Sequence, residues 1–548
     1  MRQETSRAGP LAVKADADIL ETLMLEAGAT PLSSQPTPSR SVRVIFGALM
    51  LVMLLASLDQ TIVSTALPTI VGEFGQLAHL SWIVTAYLLA TTIVTPLYGK
   101  LGDLFGRKIV LQSAILLFLV GSALCGFSRS MGELIAFRAV QGLGGGGLMV
   151  TIMAAVGDLF SPRERGRYQG IFGGIFGLST VLGPLIGGFF VEQLSWRWIF
   201  YVNLPLGVVS MLIIGWAFTA PAPRRHPAID VAGATFLTVM LTALILLTSL
   251  GGEGLEAGSS TDAILAGLTL ASLAAFIAVE RIAAEPLLPL QLFGNLTFTI
   301  ACAVGFIVGL ALFGSVTFMP LYLQVVKGVS PTEAGMMMTP MMAGVLVTSI
   351  TSGRIISRFG RYRLFPIVGT AVMTVGLGLL STLGVATSVW CTCVYMIVLG
   401  LGVGMVMQVL VLAVQNAVAY ANLGVATSGA TLFRSIGGSI GVSLFGAIFT
   451  AQLTANLSAH LSAASALQAA RAPAAIQALP PATRTLYVDA FTAALHPVFL
   501  AATVVATLAF ALTWFLKEVP LRGAAPLLPS RPSPPSPYSE DNKFPGGS

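Results

Sequence analysis

Apolar windows of roughly 20 residues, each long enough to cross a bilayer as a helix, recur along the whole sequence and leave few folds open. They fall at 44 to 67, 81 to 98, 109 to 127, 132 to 156, 168 to 191, 198 to 219 and 229 to 250. A second series falls at 262 to 280, 297 to 323, 334 to 352, 364 to 384, 388 to 412, 425 to 449 and 495 to 516. The expected fold is an all-α polytopic membrane protein of fourteen helices. Hydrophobic residues make up 55% of the chain and charged residues only 9%, which excludes a soluble globule. The polar lead before residue 44 lacks the short, early apolar core of a cleavable signal, so the first span is read as its own insertion signal.

Charge orients these spans, because Lys and Arg gather in loops that stay cytoplasmic. With the N-terminus inside, most of the 29 Lys and Arg residues fall on the inner side, while Arg129, Arg197, Lys327, Arg471 and Arg484 fall outside. The expectation is a multi-pass protein of the plasma membrane with both termini cytoplasmic. The net charge of +6 then reflects topology, and no basic patch interleaved with aromatics points to a nucleic-acid partner. Cys125, Cys302, Cys391 and Cys393 all lie in spans and read as soft buried hydrophobes. No metal ligand set, phosphate-cradling GxxxxGK[ST] or HExxH pattern is present, so neither an enzyme nor an ATP-driven pump is expected.

An internal repeat divides the chain. "GKLGDLFGRK" at 99 to 108 aligns with "GRIISRFGRY" at 353 to 362, and "GLGGGGLM" at 142 to 149 aligns with "GLGVGMVM" at 400 to 407. Transporters built from two related halves hold substrate between them. The expected organisation is a flexible tail at 1 to 43, a six-helix bundle at 44 to 219, two inserted helices at 229 to 280, a second six-helix bundle at 297 to 516 with an outer loop at 451 to 494, and a disordered tail at 517 to 548. Within the first tail, "ADILETLMLEA" is compatible with a short amphipathic helix at the membrane surface.

Three charges inside spans carry the chemistry. An ionised Asp at the centre of a membrane helix costs ~2.5 to 3.5 kcal/mol, and intramembrane ionisable groups default to function. Asp59 sits about nine residues, or ~13 Å, below the outer end of the first span. Arg138, in the fourth span, reaches a similar depth, so the two can pair. Such a carboxyl is suited to carrying a proton, since small rearrangements near a cation move its affinity strongly; the alternative is a purely structural ion pair. Arg434, in the thirteenth span, has no evident carboxylate at its depth. It either faces an anionic or polar part of a substrate or snorkels to the cytoplasmic boundary.

These segments also occur together, in order, in a known family. "LDQTIVSTALPTI" at 58 to 70, "WIVTAYLL" at 82 to 89, "GKLGDLFGRK", "RAVQGLGGGG" at 138 to 147, "GLSTVLGPLIGG" at 177 to 188, "WRWIFYVNLPLG" at 196 to 207 and "FRSIGGSIG" at 433 to 441 resemble the fourteen-helix drug:proton antiporters of the major facilitator superfamily, the EmrB/QacA-like multidrug efflux transporters. The resemblance implies a monomer, driven by the proton gradient without a cofactor, that exports amphipathic or cationic compounds. A dedicated exporter of a lipid, siderophore or self-made antibiotic is the competing expectation, since the same fold and coupling serve both.

The resemblance also implies roles for residues. Arg138 would tune Asp59 or pass its proton. Gly99, Asp103, Gly106, Arg107 and Asp158 would form a conformational latch, Asp103 capping the start of helix 13 and Arg107 pairing with Asp158 to hold the outward-facing state. Ser357 stands at the position of Asp103 in the second half, so the latch should be asymmetric. Gly173, Gly177, Gly183, Pro184 and Gly187 would form the helix-5 motif of antiporters, where small residues let helices touch. Ser64 stands where the family usually has Asn. Alternating access of the two halves around a central cavity is the expected mechanism, with Gln60, Ser64, Trp82, Tyr87, Gln141, Phe306, Gln408 and Arg434 as candidates to line that cavity. Phe313 and the cluster at Met336, Met337 and Met338 are further apolar candidates.

Overall fold

A computed structural model describes residues 40–74, 80–218, 230–250, 260–458 and 480–521. The candidate surface helix in the first tail lies outside these residues. The described chain is helical: α1 Arg40–Phe74, α2 Leu80–Phe105, α3 Arg107–Phe127, α4 Met131–Leu159, α5 Pro162–Gln193, a single turn Trp198–Tyr201 leading into α6 Asn203–Ala217, α7 Val231–Leu250 and α8 Ser260–Ile282. There follow α9 Leu296–Val316, short helices Phe318–Val325 and Pro331–Met337, α10 Thr339–Phe359, α11 Leu364–Leu380, α12 Val389–Ala417, α13 Leu423–Ser458 and α14 Pro481–Thr513. Among the described residues, twelve helices are long and apolar enough to cross a membrane. The fifth and eleventh expected windows are occupied by α5, which is long but less apolar, and by α11, which is apolar but only 17 residues long.

Local chemistry sets the helix starts. Ser130 accepts the Glu133 N–H at the start of α4, and Ser161 and Glu164 form a capping box with Pro162 in the first turn of α5. Asn295 caps α9 and Ser388 caps α12 in the same way. One expectation needs correcting. The outer loop placed at 451 to 494 is helical at both ends, since α13 continues to Ser458 and α14 begins at Pro481. Its Ala-rich composition favours helix even beyond the apolar core.

The packing repeats with the sequence. Helix α4 packs on α2 and α3 as α12 packs on α10 and α11, and α1 lies against α5 and α6 as α9 lies against α13 and α14. Glycines make the central contacts: a side chain at Gly142 or Gly146 would strike the α2 backbone, and one at Gly400 or Gly404 the α10 backbone. The turn after α2 uses Gly106 at φ 89, and the turn after α10 uses Gly360 at φ 73; 360 − 106 is 254, the same offset that relates the two motifs. Only glycine adopts this left-handed backbone without a Cβ penalty.

The two halves meet through α2 against α13 and α5 against α10, a pair of seams related by the same repeat, while α7 touches both α2 and α13. The closest approaches cluster at the end of the bundle that carries Lys100, Arg107, Arg163 and Arg165, here called the basic end. There Gly166 and Gly353 bring α5 and α10 into backbone contact, and a Cβ at Gly99 would overlap Ser428 of α13. The chain following α14 returns to this end, where Tyr362 donates to the Lys517 carbonyl at 3.1 Å and accepts from the Val519 N–H at 3.1 Å. Burial raises the Tyr362 phenol above its ordinary value, which keeps that donor protonated.

Candidate functional site

Asp59 is fully buried, and so is Arg138 at 1% exposure. Arg138 Nη1 donates to Asp59 Oδ2 at 2.7 Å. The other carboxylate oxygen, Oδ1, accepts from Gln141 Nε2 at 2.8 Å and from Asn203 Nδ2 at 3.1 Å. Asn203 also donates to Ser122 Oγ at 3.0 Å, and Ser122 donates in turn to the Phe200 carbonyl at 2.9 Å. Arg138 is further held by Gln141 Oε1 at 2.9 Å and the Ile83 carbonyl at 3.3 Å, with its guanidinium 4.2 Å above the Tyr87 ring. Both carboxylate oxygens accept only from N–H donors, which is the hydrogen-bonding pattern of the ionised acid. Among the described residues, Arg138 is the one charged donor to Asp59, and the pair ties α4 to α1.

Sequence reasoning missed Asn203 and Ser122. The signal was faint: one amide inside the apolar run "YVNLPLG", and one hydroxyl in "VGSALC". Gln141 and Tyr87, expected to line an open cavity, are instead locked into the Asp59 network. Helix α4 presents Arg138 and Gln141 on one face three residues apart, and the glycines that follow bring that face against α2.

At the basic end, Asp103 Oδ1 accepts the Gly424 N–H at 3.0 Å and Oδ2 accepts the Val425 N–H at 2.9 Å. These are unpaired donors at the start of α13, where the helix dipole favours an anion. Arg107 bridges Asp103 and Asp158, the latter at 3.1 Å. The related seam is built from different parts. Arg163, at the start of α5, donates to the Ser357 and Arg358 carbonyls at the end of α10, at 3.0 and 2.8 Å. Lys100 reaches Glu285 in the connection before α9 at 2.6 Å, and Gln169 donates to Gln415 Oε1 at 2.8 Å. Three of these four ties cross directly between the halves, and the fourth binds the first half to the connection beneath the second.

The carboxylate at Asp103 holds two backbone donors, each such charge-assisted bond contributing ~1.5 to 3 kcal/mol. Asp103→Ala is therefore expected to loosen the basic end. In a chain with exposed Cys391 replaced by Ser, a cysteine at buried Ser428 should react with an impermeant maleimide roughly tenfold faster once Asp103 is removed. Unchanged labelling would show that Asp103 does not hold this seam.

Helix α5 uses its glycines on two partners. Gly173 and Gly177 face Ser349 and the Met342 carbonyl of α10, whereas Gly183 faces Thr61 of α1, whose hydroxyl donates to the Ser179 carbonyl at 3.0 Å. Gly187 is buried. The side chains of Ser64 and Pro184 lie outside those described.

The remaining cavity candidates do not converge. Gln60 and Trp82 are half-buried. Gln408 lines a recess of about 180 Å³ at the seam with Gly166, Gln169 and Ser349. Phe306 meets Gly437 through its backbone, and Phe313 is exposed and leans on Gly438. Met336 is exposed while Met338 is buried. Arg434 lines a separate narrow recess with Ala301, Gly305 and Met407. Helical rotation decides these directions, and apolar composition does not encode it.

Comparison with known proteins gives a consistent picture. The profile described as Major Facilitator Superfamily matches residues 49–442. An uncharacterized MFS-type transporter of Mycobacterium tuberculosis (strain ATCC 25618 / H37Rv) is 42% identical over 506 residues, 90% of this chain and 74% of that protein. Multidrug transporter protein MdtP of Bacillus subtilis (strain 168) is 41% identical over 407 residues, 74% of this chain and 75% of that protein. Among solved structures, the human organic anion transporter MFSD10 superposes with a TM-score of 0.59 at 15% identity, covering 87% of this chain and 100% of that one; this likeness concerns the fold alone.

Proposed function

Since this chain belongs to the Major Facilitator Superfamily, and is therefore a multi-pass membrane transporter rather than an enzyme, we propose that it is a proton-coupled exporter of small amphipathic compounds. The observation that carries the proposal is Asp59, a carboxylate sealed between three amide and guanidinium donors at a depth where charge has no structural necessity. The relative named as a multidrug transporter supports export as the direction. In this reading all fourteen helices span the plasma membrane, the basic end and both termini are cytoplasmic, the protein works as a monomer, and no cofactor is needed.

The proposed cycle starts from the arrangement described, closed at the cytoplasmic basic end. Opening towards the outside admits a proton to Asp59 and releases substrate; the proton loosens Arg138 and lets the basic end part. Deprotonation on the inner side, with substrate bound, returns the chain to its starting state. Export from proteoliposomes driven by an imposed proton gradient tests this directly. Uphill substrate movement should start with the gradient and stop with a protonophore; movement indifferent to the protonophore would refute proton coupling.

The seam makes a second demand. A Cβ at Gly353 would overlap the Gly166 carbonyl, so Gly353→Ala should disfavour the state closed at the basic end. Transport should fall roughly tenfold, the equivalent of ~1.4 kcal/mol, with the protein still folded by size-exclusion profile. Undiminished transport would mean that this contact is not renewed in each cycle. A dedicated export role for one lipid, siderophore or antibiotic remains the second reading. Susceptibility profiles of cells with and without the gene separate them, broad sensitivity favouring the multidrug role and a single accumulated metabolite the dedicated one.

A further inference from the structure

Arg434 and Arg138 are both intramembrane cations, yet their surroundings are opposite. Arg138 has a carboxylate, an amide oxygen and a carbonyl to donate to. None of the hydrogen bonds or ion pairs among the described residues involves the Arg434 side chain, and the carboxylates that pair elsewhere, Asp59, Glu73, Asp103, Asp158 and Glu285, are all taken by other cations. Arg434 lies about eleven residues into α13, or ~16 Å from its basic end, too deep for its side chain to snorkel to that end, and it is half-buried at the recess.

Its surroundings are a recess rather than solid packing. Ala301, Gly305 and Val308 of α9, Met407 and Leu410 of α12 and Ala430 of α13 line a narrow recess around the guanidinium. Gly305 and Gly309 keep that side open by letting α9 approach the α13 backbone without side chains of their own. Val411 also lines the recess and packs in the hydrophobic cluster of the first half, so the recess borders the seam between the halves. A cation left unpaired in such a setting is costly, and an anion delivered by a ligand would remove that cost. A cationic ligand would add to it.

We propose that Arg434 is the anchor for the carboxylate, or comparable anionic group, of an amphipathic substrate whose apolar body lies along the Met407, Leu410 and Val308 wall. This rests on the exporter reading and narrows it to substrates carrying a negative charge. With Asp59 neutralised by Arg138, the uncompensated charge at the recess is positive, so the site selects against cationic compounds. Helix α13 carries Arg434 and is also the helix held at its start by Asp103, which places the loaded anchor on an element that must move when the basic end opens.

Two dyes that share a xanthene ring system test the proposal: fluorescein, an anion at pH 7.4, and rhodamine 123, a cation. Binding to the full-length purified protein is read by fluorescence anisotropy. The native chain should bind fluorescein at least tenfold more tightly than rhodamine 123. Arg434→Gln should weaken fluorescein binding about tenfold without weakening rhodamine 123, whereas Arg434→Lys should keep most of it. Preference of the native chain for rhodamine 123, absence of fluorescein binding, or fluorescein binding unchanged in Arg434→Gln would each overturn the proposal. If Arg434→Gln fails to fold, the preference of the native chain between the dyes decides. Failure of the exporter reading has a different signature, in which fluorescein binds through Arg434 but no proton gradient moves it.

Discussion

Replacing Asp59 by Asn is expected to reduce the uphill accumulation ratio in proteoliposomes to about one, with substrate binding and downhill exchange retained. One proton moving down a gradient of one pH unit releases ~1.4 kcal/mol, and a potential of 100 mV adds ~2.3 kcal/mol. At ~1.4 kcal/mol per tenfold, that sustains a gradient of a few hundredfold for an uncharged substrate exchanged for one proton. All of it passes through a group that can gain and lose a proton. Asn keeps the shape and one acceptor for Arg138, so the packing of α1 against α4 survives. What disappears is the titration. Uphill efflux that persists in the Asn variant, at native rates and still sensitive to a protonophore, would place the proton carrier elsewhere.

Removing the partner instead of the acid should have the larger effect on stability. Arg138→Met leaves the Asp59 carboxylate buried with only Gln141 and Asn203 to donate to it. Stripping one member from a buried ion pair costs ~3 to 5 kcal/mol, whereas replacing both members by neutral groups is often nearly neutral. The single variant should therefore show a clearly lower unfolding midpoint in detergent. The double variant Asp59→Asn with Arg138→Met should recover most of that loss while remaining unable to pump. Because the two residues touch, the difference between the double variant and the sum of the singles measures their coupling. A double variant no more stable than Arg138→Met alone would show that Arg138 acts through Tyr87 and the Ile83 carbonyl rather than through Asp59.

Much of this arrangement was legible in the sequence, for identifiable reasons. The similar depth of Asp59 and Arg138 followed from counting along two spans at a fixed rise per residue; their contact at 2.7 Å took the rotation of α1 and α4 towards each other. The alignment of 99 to 108 with 353 to 362 was legible as a repeat, and the structure gives its aligned Gly106 and Gly360 the same left-handed turn. Asn203 was not, since a single amide in an apolar run carries no directional information until the helix containing it is packed. The cavity candidates scattered for the same reason: Tyr87 and Gln141 turned into the Asp59 network, Gln408 towards the seam and Arg434 into its own recess. The ends of α13 and α14 extended past their windows because helices do not stop where the hydrocarbon stops.

The amino-acid sequence by itself determined that the chain is a series of apolar helices and which few charges must live among them. Those properties are set residue by residue through partition between water and lipid, and they add along a line. The tertiary structure alone decided that Asp59 is closed in by Asn203 and Gln141 as well as Arg138, and that Arg434 is left without a partner among the described residues beside its recess. Partners separated by 79 residues in one case and 321 in another meet only through the rotation and close approach of whole helices. Glycine contacts and side-chain shape settle that rotation, and neither is a property of any single window.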